Sequence, residues 1–380
     1  MRLETQRHLF SIPREICYLN AAYMTPQTIK MQEAGHEGID RRANPWVISE
    51  QDFFTDVETV RALFAPIIDA QTDDIAIIPG ASYGVAVAAR NIKLDKGQVI
   101  VMLAEQFPSN VYSWQRMAAE QDLQIKHVPT PSDGNWTDGV MTLLDEYGEQ
   151  VGLLTLPHCH WSSGALLDVQ RISARAKTIG AKLVLDLTQS VPAQHFSVQD
   201  VDPDYVIVSG YKWMMCPYSI SFLYVAPRNH DGVPLEENWI NRLGSENFAG
   251  LVQYQDAYQP GARRFDMGER ASFNLMKQTV ASLEQFHQWG IGNMQDTIGG
   301  LANDIAAVCE RHGYRPVPKA HRSNHLLGVS CPTPPSPEFL ASLRDHGVYL
   351  SVRGTSLRIA PHMYNDQVDI VRLEEILASI

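Results

Sequence analysis

Tyr205-Val-Ile-Val-Ser-Gly-Tyr-Lys-Trp213 decides how this chain is read: an apolar β-forming run closes in a turn of small residues that carries a lysine. A continuous apolar run bounded by turn residues is what a strand buried on both faces requires. Six more runs resemble it in length and composition. They are Asp74-Ile-Ala-Ile-Ile78, Gln98-Val-Ile-Val-Met-Leu103, Gln124-Ile-Lys-His-Val128, Val151-Gly-Leu-Leu-Thr-Leu156, Ala181-Lys-Leu-Val-Leu-Asp186 and Ser219-Ile-Ser-Phe-Leu-Tyr-Val225. Helix-patterned segments separate them, such as Val169 to Ile179, where Gly180 supplies a C-cap. The alternation predicts an α/β domain on a seven-stranded, mostly parallel sheet.

Beyond Pro227 the pattern changes. Residues 228–270 are rich in Asn, Gly, Arg and Tyr and predict a long excursion with little regular structure, a kind of segment that often carries function or an interface. Helix is expected over 272–312. Strands are expected around His325–Val329, Val348–Val352 and Ser356–Ala360, then an amphipathic helix from Val368. These imply a smaller α+β C-terminal domain. The expected division is an N-terminal segment (1–30), a large domain (31–260) and a small domain (261–380), as suits a chain too long for one ordinary core.

The composition, 44% hydrophobic and 19% charged, is that of a globular protein. A net charge of −12 without blocks of one sign argues against a nucleic-acid or anionic-membrane partner. The first residues lack the apolar core of a signal peptide, and no run is long enough to span a bilayer. Five scattered cysteines (Cys17, Cys159, Cys216, Cys309, Cys331) fit neither a disulfide framework nor a zinc site. No metal is expected, and the cytoplasm is the expected compartment.

Ligands of parallel sheets bind at the carboxyl ends of the strands. After Ile78 comes Pro79-Gly-Ala-Ser-Tyr-Gly84, where a turn opening a helix points backbone N–H groups and the Ser82 hydroxyl at an anion such as phosphate. An ordinary N-cap serine would leave the same trace. Asp186, with Thr188-Gln-Ser190 after it, and Lys212 stand at two strand ends and could face one another. A carboxylate can hold a pyridine nitrogen protonated, and a lysine of lowered pKa can join an aldehyde and shuttle protons. Singly, Asp186 reads equally as a helix cap and Lys212 as a surface lysine; together they point to chemistry. No Gly-x-Gly-x-x-Gly fingerprint supports a dinucleotide-dependent oxidoreductase.

Ser209-Gly-Tyr-Lys-Trp213 and Asp186-x-x-Gln-Ser190 resemble the class V aminotransferase group of fold-type I pyridoxal 5′-phosphate (PLP) enzymes, which includes cysteine desulfurases, kynureninases and isopenicillin N epimerases. The likeness runs from Tyr18-Leu-Asn-Ala-Ala22 to Leu357-Arg-Ile-Ala-Pro-His-Met-Tyr-Asn365. It implies PLP as cofactor, Lys212 as the Schiff-base lysine, Asp186 on the pyridine nitrogen and Gln189 on the ring hydroxyl. Ala81, Ser82, Ser209 and Tyr211 would cradle the phosphate. Phe107, opening Phe-Pro-Ser-Asn110, would stack on the cofactor as in kynureninases. Arg358 matches the arginine that clamps the substrate α-carboxylate, a task suited to a guanidinium fork, with Arg353 beside it. His160 and Trp161, in Pro157-His-Cys-His-Trp-Ser-Ser-Gly164, would face substrate, His160 in a proton-relay role. The segment around Arg263 and Ser272 would reach the phosphate of a second subunit, which implies a homodimer with shared active sites.

One departure matters. Desulfurases carry a nucleophilic cysteine on the loop that here is only Gly354-Thr-Ser-Leu357, so persulfide formation is disfavoured. What remains is a PLP enzyme acting on an amino acid by transamination or β-elimination. The alternatives are an amino-acid epimerase and a catalytically idle PLP-binding regulator.

Overall fold

The computed structural model describes residues 1–378. Its strands are β1 (Cys17–Tyr18), β2 (Ile75–Ile78), β3 (Val99–Leu103), β4 (Gln124–Val128), β5 (Val151–Pro157), β6 (Lys182–Asp186), β7 (Tyr205–Ser209), β8 (Ser221–Val225), β9 (Arg315–Pro316), β10 (Leu327–Ser330), β11 (Val348–Tyr349), β12 (Ser351–Arg353) and β13 (Ser356–Ile359). The helices are α1 (Ile29–Arg42), α2 (Thr55–Phe64), α3 (Ala81–Asn91), α4 (Tyr112–Gln121), α5 (Trp136–Tyr147), α6 (Val169–Thr178), α7 (Val198–Val201), α8 (Phe273–Trp289), α9 (Ile291–Arg311), α10 (Pro337–Asp345) and α11 (Gln367–Ala378).

All seven runs predicted in the first two-thirds of the chain form one sheet, in the order β2-β8-β7-β6-β5-β3-β4. Only β8 runs antiparallel to its neighbours. Alternate residues feed two apolar layers. Ile75, Ile77, Val99, Val101, Leu154, Leu156 and Val206 pack on one side, while Ala76, Ile78, Ile100, Met102, Leu153 and Ile207 meet Val85, Trp114 and Met117 of α3 and α4 on the other. Double-sided burial explains why these strands are apolar throughout rather than alternating.

A second core gathers Cys17 and Leu19 with Ile305, Leu327, Leu343, Leu357 and Leu373. The expected strand Val348–Val352 is split: β11 pairs in parallel with β1, whereas β12 joins β13. The expected helical stretch after residue 272 is two helices, broken at Gly290 with φ +75°. Helices α1 and α2 were not anticipated. Thr28 caps α1, accepting from Met31 N, and α1 lies against α8 so closely that a Cβ on Gly38 would sit 2.6 Å from Asn274 Cα.

Residues 228–270 contain only short 3₁₀ turns, as their composition suggested. One carboxylate anchors them. Asp266 is fully buried and accepts from Arg61 and from Ile77 N at 2.7 Å, with Arg270 Nε 3.1 Å away. Met267 N then donates to Ile77 O, so the excursion covers the open edge of β2. Replacing Asp266 by Ala would leave buried Arg270 without an anion and Arg61 with Glu58 alone. We expect a loss of about 3–5 kcal/mol in urea unfolding; a loss below about 1 kcal/mol would contradict this account.

Candidate active site

Parallel pairing brings the carboxyl ends of β5, β6 and β7 to one edge, where Pro157 pairs with Asp186 and Asp186 with Ile207. The β6 and β7 ends are tied together by Thr188. Its N–H donates to Asp186 Oδ1 at 2.9 Å, and its hydroxyl accepts from Ser209 N at 3.0 Å. After Ser209 a tight turn, closed by Cys216 N donating to Gly210 O at 2.9 Å, projects Lys212 back over the edge.

A cavity of about 270 Å³ opens there. Ala81, Ser82, Phe107, Asp186 and Gln189 line it, with Ser209, Tyr211, Lys212 and Trp161. Its far end is the N-terminus of α3, which carries no side-chain cap. A Cβ on the N-cap Gly80 would meet nothing within 4 Å. The first N–H groups of the helix thus face open space, a ready anion site. Gln189 is held from both ends, donating to Ala22 O at 3.0 Å and accepting from Trp213 Nε1 at 2.9 Å. Asn110 secures the Phe107 loop by accepting from Trp114 Nε1 and from the Thr155 hydroxyl.

Lys212 is buried, with its Nζ 5.2 Å from the centroid of the Phe107 ring. Burial pushes its pKa down to about 8; the carboxylate of Asp186 opposes this, while Arg358 and Arg353 add to it. The amine is therefore partly neutral, and nucleophilic, near physiological pH. Arg358 is buried on β13. Its Nη1 donates to Trp161 O at 3.0 Å, its Nη2 to the Ser351 hydroxyl at 3.3 Å, and its Nε has no partner. Burial, and then Arg353, lower its pKa to about 10.

Four expected residues, His160, Ser272, Arg353 and Arg358, lie outside the lining of that cavity. In Pro157–Trp161 it is Pro157, Cys159 and Trp161 that line the Lys212 cavity, not the two histidines. His160 turns the other way, its Nδ1 2.9 Å from the Ser163 hydroxyl and its ring against Trp136, and burial lowers its pKa to about 4. Ser272 sits in a separate hollow with Trp239 and Phe273. Burial raises the Cys159 thiol to about 12, so it is no thiolate near neutral pH. The sequence reading missed the linking role of Thr188 and the lining residues Gln106 and Tyr218. Thr188 lies inside the Asp186–Ser190 motif, but its role depends on the β6–β7 register, which local pattern does not reveal.

The class-V aminotransferase family model matches residues 32–369. The chain belongs to that family. It is 25% identical to a kynureninase of Deinococcus radiodurans over 91% of this chain and 85% of that one. It is 22% identical to a probable cysteine desulfurase of Methanothermobacter thermautotrophicus, covering 100% and 98% of the two chains. The fold superposes on a mutant of C-DES with glycine covalently linked to the PLP cofactor, with a TM-score of 0.89, 17% identity and 99% of both chains covered.

PLP is the cofactor of this family, and the residues fit it. The uncapped α3 terminus suits its phosphate, Asp186 its pyridine nitrogen, and the Lys212 amine its aldehyde. Among the described residues no group of three or more metal-ligating side chains converges, and no helix is long and apolar enough to cross a membrane.

The folded-state pKa of Lys212 lies below its ordinary value of 10.5, so this group destabilises the cofactor-free protein at neutral pH. That penalty is present below about pH 8 and fades as pH rises towards 10.5. Lys212→Met in the cofactor-free protein should therefore gain on the order of 3 kcal/mol at pH 7 in urea unfolding, and much less at pH 10. Equal gains at both pH values would contradict the assignment.

Proposed function

We propose that this protein is a PLP-dependent enzyme that breaks a bond at Cα or Cβ of an amino acid, by transamination or β-elimination. The observation that carries the reading is a buried, partly neutral Lys212 that shares a cavity with Asp186 and lies within electrostatic reach of Arg358, whose Nε has no partner. Bound there, PLP supplies an electron sink that makes the Cα–H of an attached amino acid acidic.

The chain's own groups divide the remaining work. Arg358, left with an unpartnered Nε, receives the α-carboxylate and thereby orients the Cα–H bond. Lys212 takes the Cα proton at Nζ and returns it, a task matched by a pKa near the working pH. Asp186, fixed by Thr188 N, keeps a proton on the pyridine nitrogen. Phe107 and Trp161, edge to face at 5.6 Å, exclude water from the reacting face. Cys159 is protonated and no cysteine stands between Arg353 and Arg358, which disfavours a persulfide route.

The enzyme is read as a homodimer. Support comes from Ser272, which lies outside the Lys212 cavity of its own chain, and from exposed Trp239 and Tyr218.

Purified protein should carry a visible absorption band that borohydride bleaches, fixing the cofactor's mass on the Lys212 peptide. Lys212→Ala should abolish the fixation and reduce turnover by at least ~10³-fold. A panel of amino acids in deuterated water, followed by NMR, should show Cα exchange with formation of a keto acid. Cα exchange with inversion alone would replace this reading by epimerisation. PLP binding without any exchange would overturn it.

A further inference from the structure

A pyridine ring with its phosphate would take up much of the Lys212 cavity of about 270 Å³. A substrate held by Arg358 must therefore send its side chain elsewhere. Trp161 lines that cavity, and on the other side of the neighbouring Glu105, His160 and Ser162 lies a groove of about 830 Å³ against the β12–β13 hairpin. Arg353 stands in that groove, at the hairpin turn where it pairs with Ser356.

Arg353 is half-buried, donates only to its neighbour's carbonyl, Val352 O, at 2.8 Å, and forms no ion pair with any described residue. Its guanidinium lies over the indole of Trp161, 5.6 Å from the ring centroid. That indole is itself fixed, donating from Nε1 to Glu105 O at 2.7 Å. The ring thus supports a cation rather than a substrate ring. Arg353 also reaches the reacting groups electrostatically, lowering the pKa of both Lys212 and Arg358. Glu105 and Asp133 share the groove, but neither pairs with Arg353, and Asp133 is engaged in a turn with Asn135 N at 2.9 Å. Two guanidinium groups without an anion therefore flank Trp161, while an amino acid's α-carboxylate occupies only one.

We propose that Arg353 binds a second carboxylate, so that the substrate is an α-amino acid with an acidic side chain. This rests on the function proposed above. Arg358 takes the α-carboxylate, the reacting Cα lies beneath Lys212, and the side-chain carboxylate extends along Trp161 to the Arg353 fork.

The test uses the PLP-loaded protein and matched pairs, aspartate against asparagine and glutamate against glutamine, titrated by change in the visible band and by calorimetry. The acid of at least one pair should bind ten-fold or more tighter than its amide, as a charge-assisted hydrogen bond implies. Arg353→Gln should bring that ratio to within about three-fold of unity, and Arg353→Lys should restore part of it. The proposal is overturned if the wild type binds amides or aromatic amino acids as tightly as acids. It is likewise overturned if Arg353→Gln weakens acid and amide equally, the mark of a merely structural role. If no amino acid perturbs the wild-type band at all, the function proposed above fails with it. A perturbation without preference for acids removes only the role of Arg353.

Discussion

Parallel pairing sends the carboxyl end of every strand to the same edge, and the chemistry of this molecule depends on that constraint. Asp186 and Lys212 are separated by a whole strand-to-strand crossover, yet the β6–β7 ladder sets their positions. Thr188 then locks the two ends, accepting from one and donating to the other. The aligned ends also put the α3 N-terminus at the opposite wall of the same cavity, so three features of different chemistry meet without one being adjacent to another in sequence. Helices on both faces keep the sheet dry and rigid, and rigidity is what a proton-transfer site with near-contact geometry requires.

The electrostatics follow from the same packing. Lys212 loses water on burial, and the charge of Asp186 only partly compensates, because two arginines on the hairpin act in the opposite sense. The cavity is poised to accept negative charge from cofactor and substrate. Binding an anion here relieves repulsion among cations already fixed in place, rather than requiring side chains to assemble.

Much of this was legible in the sequence. The seven sheet strands stand out because each is an apolar run bounded by turn residues, a signature that burial on both faces produces locally. The lysine, the aspartate and the glycine turn could be found because each follows such a run. What the sequence concealed is non-local. Cys159 and Trp161, not His158 and His160, face the cavity, because the chain leaves β5 through an isolated bridge between Cys159 and Leu166 that sets which side chains point inward. The split of Val348–Val352 depends on β1, a two-residue strand too short to announce itself. Helices α1 and α2 owe their existence to packing on α8 more than to their own weak apolar stripes.

That short β1 carries a consequence for how the molecule is made. Cys17 touches Asp369, 352 residues further along the chain, and Leu19 belongs to the second core. β1 must therefore wait for α11, made 352 residues later, before that contact can form, and the loop it closes spans that whole separation. The large sheet can form from neighbouring segments while synthesis continues, but the second core cannot be completed until α11 has been made. Maturation is thus ordered in time, with the arginine-bearing hairpin among the last pieces to be set, so an unfinished chain can assemble its lysine edge before it has anything to orient a substrate.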